Sequence, residues 1–264
     1  MNLKLTLEYD GSRFYGWQLQ PELRTVQGEL ERALEILLKE KIRVNVAGRT
    51  DTGVHAYGQV INFHTATEHI PETMPRSLNG ILSHDVVVKR AEIARPDFHA
   101  RYDALSRQYS YVLSRYPVAI GRQYAFFCKF HLDLEAMRQA SQCLLGEHNF
   151  RAFCSTSTED PHYLSRVEAI EWEDLGEKIV MRVRANRFLR SMVRIIMGTL
   201  IDVGRQKLAV DEVSRILESG QRTKAGFTAP PHSLFLEKVF YPENEASQPF
   251  HEKNSSPVTQ DESF

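Results

Sequence analysis

Long apolar segments are absent from this chain, and their absence excludes an ordinary membrane-spanning helix. No apolar run approaches the ~20 residues that such a helix needs to cross a bilayer. The first six residues alternate apolar and polar side chains, unlike the continuous apolar region of a secretion signal. With 42% apolar and 25% charged residues, the composition is that of a soluble globular protein, so we expect a cytoplasmic location and no membrane partner.

Cysteines and metal-binding patterns are also scarce. The three cysteines form no CxxC pair and are odd in number, which favours reduced thiols packed in the interior over a disulfide framework. The ten histidines include no HExxH spacing, so a metal site has no support in the sequence. We therefore expect chemistry that uses no metal.

The net charge is nearly zero, but the charge is unevenly distributed. Five acids and one base follow Pro242, which leaves a net charge of +3 on residues 1–242. A basic stripe within residues 178–201 can bind phosphates even on a neutral protein, although a solvated charged face explains the charge pattern equally well. This stripe contains no acid and consists of Lys178, Arg182, Arg184, Arg187, Arg190 and Arg194.

Hydrophobic periodicity divides residues 1–98 into a strand, a helix, two strands, a helix and a strand. Alternating apolar residues predict the strands, and an apolar stripe that follows the capping residue Thr25 predicts the first helix. This order is that of the ferredoxin-like motif. The predicted strands cover residues 3–7, 42–46, 59–64 and 86–93, and the predicted helices cover 26–38 and 75–82.

Residues 99–242 repeat that order, with one additional helix before the last strand. We therefore predict an α+β protein of two tandem ferredoxin-like (βαββαβ) halves, with a mixed, largely antiparallel sheet, helices on one face and a catalytic cleft between the halves. The polar tail, residues 243–264, is expected to be disordered. The predicted strands of the second half cover residues 107–113, 167–172, 179–184 and 234–241, and the helices cover 133–144, 188–203 and 211–218.

The segment AGRTDTGVHA, residues 47–56, lies between two predicted strands and has three interpretations. A turn explains Asp51 and Gly53, because Asp bonds the local backbone and Gly tolerates positive φ, but it leaves Arg49 unexplained. The DTG motif of an aspartic protease would need a second carboxylate to share a proton, and no second DTG or DSG is present. In the third interpretation Asp51 is an ionised nucleophile or electrostatic stabiliser, oriented by a guanidinium from Arg49 or from the basic stripe.

Three arginines of the basic stripe are predicted to share one helix face. Arg187, Arg190 and Arg194 are spaced i, i+3 and i+7, so one of them can pair with a carboxylate while the others contact phosphates. An exposed sheet with aromatic residues is a common RNA platform, which leaves a non-catalytic RNA-binding module as an alternative function. No RRM signature is present, and fold class alone does not decide function.

Five segments carry more specific information: YDGSRFYGWQLQP (9–21), AGRTDTGVHA (47–56), DFHARYDALSRQYSYVL (97–113), NRFLRSMVRIIMG (186–198) and APPHSLFLEKVFY (229–241). In this order they resemble the motifs of the tRNA pseudouridine synthase A family, and they span almost all of residues 3–241. Three departures from the family pattern are Thr52 in place of alanine, the segment LSHDV (82–86) without the usual proline after leucine, and Ser233 in place of glycine.

The resemblance implies an isomerase that converts uridine to pseudouridine at positions 38, 39 and/or 40 of the tRNA anticodon stem-loop, with flipping of the target base. It implies Asp51 as the catalytic residue, Arg49 as a contact to the flipped nucleotide and Tyr109 as the ring that packs on uracil. It also implies that Arg194 pairs with the catalytic carboxylate, and that the enzyme is a homodimer without metal or organic cofactor. Candidate contacts to the tRNA backbone are Arg101, Arg107, Arg187 and Arg190.

Overall fold

The computed structural model describes residues 1–67, 73–156 and 162–242, which form a mixed α+β structure around one large sheet. The tail predicted to be disordered, residues 243–264, lies outside the described residues. The strands are β1 (Asn2–Tyr9), β2 (Asn45–Val46), β3 (His55–His64), β4 (Val86–Ala94), β5 (Ser106–Ser114), β6 (Phe126–Phe127), β7 (Gly146–Asn149), β8 (Leu164–Asp174), β9 (Lys178–Ala185) and β10 (Leu234–Phe240). The α-helices are α1 (Val26–Leu38), α2 (Met74–Ile81), α3 (Leu134–Ser141), α4 (Met192–Gly204) and α5 (Glu212–Ser219).

The sheet is continuous across both halves of the chain. Its main path is β4-β1-β3-β10-β5-β9-β8-β7, with β2 paired to β3 and β6 paired to β5. Strands β4, β1, β3 and β2 of the first half are ordered in space as fourth, first, third and second, and β10, β5, β9 and β8 repeat this order in the second half. The predicted α+β fold with two ferredoxin-like halves and a largely antiparallel sheet is confirmed. The halves meet where β3 and β10 run parallel, with Phe235 opposite His55.

Alternation along the strands determines which side chains enter the core. In β1, Leu3, Leu5 and Leu7 are fully buried, whereas the residues between them remain partly exposed. Helix α1 adds its own buried stripe to the same core. The Thr25 hydroxyl caps this helix by accepting a hydrogen bond from the Gly28 amide at 3.3 Å, as its position predicts. Among the described residues, no helix is long and apolar enough to cross a membrane.

One predicted helix begins later than its apolar pattern indicates. Ser191 has φ of 60°, a left-handed conformation that cannot continue an α-helix, so α4 begins at Met192 rather than near Phe188. Arg187 and Arg190 therefore lie in the loop between β9 and α4. The prediction that Arg187, Arg190 and Arg194 share one helix face is wrong, because only Arg194 is helical.

Two strand boundaries in the first half also differ from the prediction. Only Asn45–Val46 of the predicted strand 42–46 pairs with β3, although Ile42 and Val44 are buried in the core. Their apolar pattern reports burial rather than a hydrogen-bonded ladder. Strand β3 extends back to His55 and so begins four residues after Asp51.

Candidate active site

Asp51 lies at the start of a tight turn that leads into β3. The Val54 amide donates to the Asp51 carbonyl oxygen at 3.1 Å. Gly53 has φ of 76°, a conformation that residues with a side chain rarely adopt. The turn predicted for this segment is confirmed, and it presents Asp51 ahead of β3 rather than inside the sheet.

The N-terminal segment, residues 9–21, holds this turn in place. The Trp17 amide donates to the Thr50 carbonyl oxygen at 3.0 Å, and the hydroxyl groups of Tyr9 and Thr50 lie 2.8 Å apart. A Cβ at Gly16 would stand 2.8 Å from the Thr50 carbonyl oxygen, so only glycine permits this approach. The backbone next to Asp51 is therefore fixed by residues of its own half.

Two donors from the second half converge on one oxygen of the Asp51 carboxylate. Arg194 Nη1 lies 3.1 Å and Ser191 Oγ lies 3.0 Å from Asp51 Oδ2. The side chain of Arg194 is only 16% exposed, and its Nε donates to the Ala229 carbonyl oxygen at 2.8 Å, which fixes the direction of the guanidinium. Charge-assisted hydrogen bonds of this kind are stronger than neutral ones. The structure thus brings Asp51 and Arg194 together from positions 143 residues apart.

Arg49 does not orient the carboxylate. Arg49 is exposed, and among the described residues the ion-pair partner of Asp51 is Arg194. Of the two guanidinium sources that the sequence leaves open, the basic stripe is therefore the one that the structure uses. Arg49 remains two residues from Asp51 and is exposed to solvent.

The Tyr109 ring is buried beside the turn. A Cβ at Gly48 would lie 3.7 Å from the Tyr109 hydroxyl oxygen, and the Phe188 ring packs edge-on with its centroid 5.1 Å away. Burial, together with the nearby Tyr9 and Asp51, raises the pKa of Tyr109 well above its ordinary value of 10. Tyr109 is therefore a neutral phenol near pH 7, which suits it to ring packing and makes it a poor proton acceptor.

Arg107 is buried and its donors are occupied by the protein itself. Its guanidinium makes five hydrogen bonds to four carbonyl oxygens, at 2.6 to 3.2 Å. The residue is only 8% exposed, and these internal bonds occupy the donors that the predicted contact with the tRNA backbone would need. It acts instead as an internal clamp on loops that surround the site. The accepting carbonyls belong to Ala47, Arg101, Ala104 and Asn186.

Four other arginines lie at the surface around the clamp and the turn. We call them the rim arginines: Arg49, Arg101, Arg187 and Arg190, all exposed. Arg107 donates to the carbonyl oxygen of Arg101 and to that of Asn186, the residue before Arg187. Burial lowers the pKa of Arg107, and the positive charges of Arg101 and Arg187 act in the same direction. The rim arginines therefore place several exposed positive charges around the turn and the clamp, where a polyanion can meet them.

Ser191 is the site residue that sequence reasoning missed. It lies inside the family-like segment 186–198, but inside an apparently helical pattern its hydroxyl had no assignable role. A polar residue beside the first turn of a helix was the one available signal. For metal binding, no group of three or more His, Cys, Asp or Glu side chains is suitably arranged within the described ranges.

Comparison with known proteins establishes the family. A family model described as tRNA pseudouridine synthase matches residues 6–103 and 140–242, which include Asp51 and Arg194. A protein named tRNA pseudouridine synthase A from Bacillus subtilis is 44% identical over 245 residues, covering 91% of this chain and 99% of that protein. The protein of the same name from Caldicellulosiruptor bescii is 40% identical over 242 residues, with coverage of 91% and 99%. The chain belongs to the tRNA pseudouridine synthase family, a family of isomerases.

Solved structures are much less similar. One titled "Crystal Structure of a Cbf5-Nop10-Gar1 Complex" gives a TM-score of 0.32 at 13% identity, covering 75% of this chain and 54% of that chain. A similarity this weak carries no conclusion about fold or function.

Proposed function

We propose that this protein is a tRNA pseudouridine synthase that isomerises uridine at positions 38, 39 and/or 40 of the anticodon stem-loop. The observation that carries the proposal is the Asp51 carboxylate, fixed on a turn of the first half and paired with Arg194 of the second. The relatives named tRNA pseudouridine synthase A support the same reaction. Asp51 is the catalytic residue, and the reaction uses no metal or organic cofactor.

The chemistry requires a carboxylate that stays ionised and oriented. The reaction breaks the bond between the ribose carbon and the uracil nitrogen and joins the same ribose carbon to uracil carbon five. Carbon five loses its hydrogen as a proton and the released nitrogen gains one, so the isomerisation balances and no electron carrier is needed. A carboxylate can assist by attacking the ring, by attacking the ribose carbon or by abstracting a ribose proton. All three routes use the carboxylate of Asp51, and the ion pair with Arg194 at 3.1 Å orients it.

The surrounding residues hold the substrate. Extracting a stacked uridine costs about a few kcal/mol, and phosphate contacts from the rim arginines offset that cost in a salt-dependent way. Tyr109 packs on the uracil ring, because its own ring borders the turn that carries Asp51. Arg49 contacts the flipped nucleotide from the solvent side of the same turn.

Two further properties belong to the proposal and rest on the family resemblance. The protein acts as a homodimer, and it meets tRNA in the cytoplasm. Sedimentation of the purified protein at micromolar concentration, with and without tRNA, measures the dimer directly. A monomer under both conditions contradicts that part of the proposal without affecting the catalytic part.

Release of tritium from carbon five of uridine in unmodified tRNA tests the reaction. We expect release by the wild type, with pseudouridine mapped to positions 38–40, and a loss of more than about a thousandfold in Asp51→Asn. The matched control is Asp97→Asn, because the Asp97 side chain is 81% exposed and lies outside the site. Binding of tRNA without any release would instead support the RNA-binding module, and equal release by wild type and Asp51→Asn would exclude Asp51 as the catalytic group.

A further inference from the structure

Ser191 combines an unfavourable backbone with an unusual use of its hydroxyl. Its φ of 60° places a non-glycine residue in the left-handed region, which costs on the order of 1 kcal/mol. It stands at the N-cap of α4, where a serine ordinarily accepts a hydrogen bond from the first turn of the helix. Its side chain makes no such capping bond. The hydroxyl donates to Asp51 Oδ2 at 3.0 Å instead.

The two oxygens of the Asp51 carboxylate are therefore unequal. Oδ2 accepts from both Ser191 and Arg194. Oδ1 accepts no hydrogen bond from any residue in the described part of the chain. Two donors on one oxygen restrict rotation of the carboxylate about its Cβ–Cγ bond, and they leave the lone pairs of the other oxygen available.

We propose that Ser191 is a positioning residue for the reaction, which anchors Oδ2 so that Oδ1 is the oxygen presented to the flipped nucleotide. This inference rests on the proposed function, because it assigns a role within that reaction. Arg194 supplies a positive charge beside the carboxylate. Ser191 supplies a second hydrogen bond to Oδ2 from another direction, and this bond fixes the orientation of the carboxylate that a single guanidinium contact does not define. The left-handed backbone at Ser191 is what aims its Oγ at the carboxylate rather than at the helix.

Two substitutions separate the hydroxyl from the backbone. Ser191→Ala removes the hydroxyl and keeps a Cβ in the left-handed conformation. Ser191→Gly removes the hydroxyl and also relieves the strain, so it is expected to be the more stable of the two. Ser214→Ala on α5 is the matched control, since its hydroxyl bonds only the backbone of its own helix at the Asp211 carbonyl.

The readouts are kcat and KM for unmodified tRNA in the tritium-release assay, with thermal unfolding of each variant. We expect kcat to fall by about ten- to a hundredfold in both Ser191 variants, the loss typical of a hydrogen bond to a charged group. KM should stay within about twofold, because the anchor acts on the carboxylate and not on tRNA binding. Ser214→Ala should match the wild type.

Each other outcome overturns the inference. A wild-type kcat in Ser191→Gly would show that the hydroxyl is dispensable, even if Ser191→Ala were slow through strain. A raised KM with unchanged kcat would place Ser191 in substrate binding. Absence of release by the wild type would overturn the proposed function and this inference with it, which distinguishes that failure from the first two.

Discussion

Two loops meet at the Asp51 carboxylate, and the molecule holds them in different ways. The loop of residues 47–54 is fixed on several sides, by Trp17 and Tyr9 at Thr50 and by Arg107 at Ala47. The loop of residues 186–191 contains the left-handed Ser191 and carries exposed arginines into solvent. The first loop determines where the carboxylate lies, and the second determines which donors and charges face it.

Arg107 connects these two loops. Its Nη2 donates to the Ala47 carbonyl oxygen at 2.8 Å, and its Nη1 donates to the Asn186 carbonyl oxygen at 2.8 Å. The parallel pairing of β3 with β10 joins the same halves within the sheet. Both loops are therefore tied to one buried cation as well as to the sheet, and the site exists only while the halves remain docked.

Removing this clamp should have the largest effect on the fold. In Arg107→Met, four carbonyls lose donors, those of Ala47 and Ala104 in buried bonds and those of Arg101 and Asn186 in part-buried bonds. At about 1 to 3 kcal/mol for each buried group left unsatisfied, we expect a total of about 3 to 5 kcal/mol. We expect the free energy of unfolding in urea to fall by that amount. We expect turnover to fall as well, because the two loops would no longer be held in their relative positions at the Asp51 carboxylate.

The control for the clamp is Arg101→Met, because Arg101 is exposed and is expected to change the free energy of unfolding by less than about 0.5 kcal/mol. If Arg107→Met unfolds at the wild-type urea midpoint with an unchanged slope, the two loops are held together by the sheet alone and the clamp is unnecessary.

The ion pair should have the next largest effect, and on catalysis rather than stability. Arg194→Met removes the guanidinium from Asp51, so we expect kcat to fall by about a hundred- to a thousandfold, as when one positioned electrostatic donor is lost. A modest loss of stability should accompany it, since Asp51 is left partly buried without its cation. Arg215→Met is the matched control, because Arg215 lies on α5 with 71% of its side chain exposed. Unchanged turnover in Arg194→Met would refute the role of the pair.

The difference between the two loops also explains which features the sequence could predict. Strand order, the Thr25 cap and the turn at Gly53 follow local rules of periodicity, capping and positive φ, and each is present in the structure. The loop of residues 186–191 follows no local rule. Its apolar residues continue the helical spacing, whereas the left-handed conformation of Ser191 breaks it.

The arginines show the same limit of prediction from sequence. From sequence alone, Arg107 and Arg49 are both cations inside family-like segments, and both are expected to contact RNA. Burial separates them, because the first is buried and donates to four backbone carbonyls, whereas the second is exposed. The destination of a guanidinium depends on which distant carbonyls the fold brings near it, and no pattern around Arg107 encodes that.

The turn itself should show a smaller effect. In Gly53→Ala, the new Cβ must adopt φ of 76° and lies 3.2 Å from Pro231 Cγ, so we expect a loss of about 1 to 2 kcal/mol in the free energy of unfolding. The matched substitution is Gly80→Ala in α2, where a Cβ would meet nothing within 4 Å and φ is ordinary. That change should raise stability by about 0.5 to 1 kcal/mol. Equal effects at both glycines would contradict the strain assigned to the turn.

The smallest effect should come from the exposed side of the same loop. Arg49→Gln removes a positive charge that neither pairs with Asp51 nor supports the fold, so stability should stay within about 0.5 kcal/mol of the wild type. If Arg49 meets an RNA phosphate, tRNA affinity falls a few-fold and the slope of log K against log salt decreases in magnitude by about 0.7 to 0.9. If it holds the flipped nucleotide instead, the salt slope is unchanged and kcat falls.

Filter binding at several salt concentrations, with tritium release, separates these outcomes. Arg90→Gln on β4, 70% exposed at the outer edge of the sheet, is the control for charge alone. Arg49→Gln with wild-type affinity, salt slope and kcat would confine the function of this loop to Asp51 and the backbone that carries it.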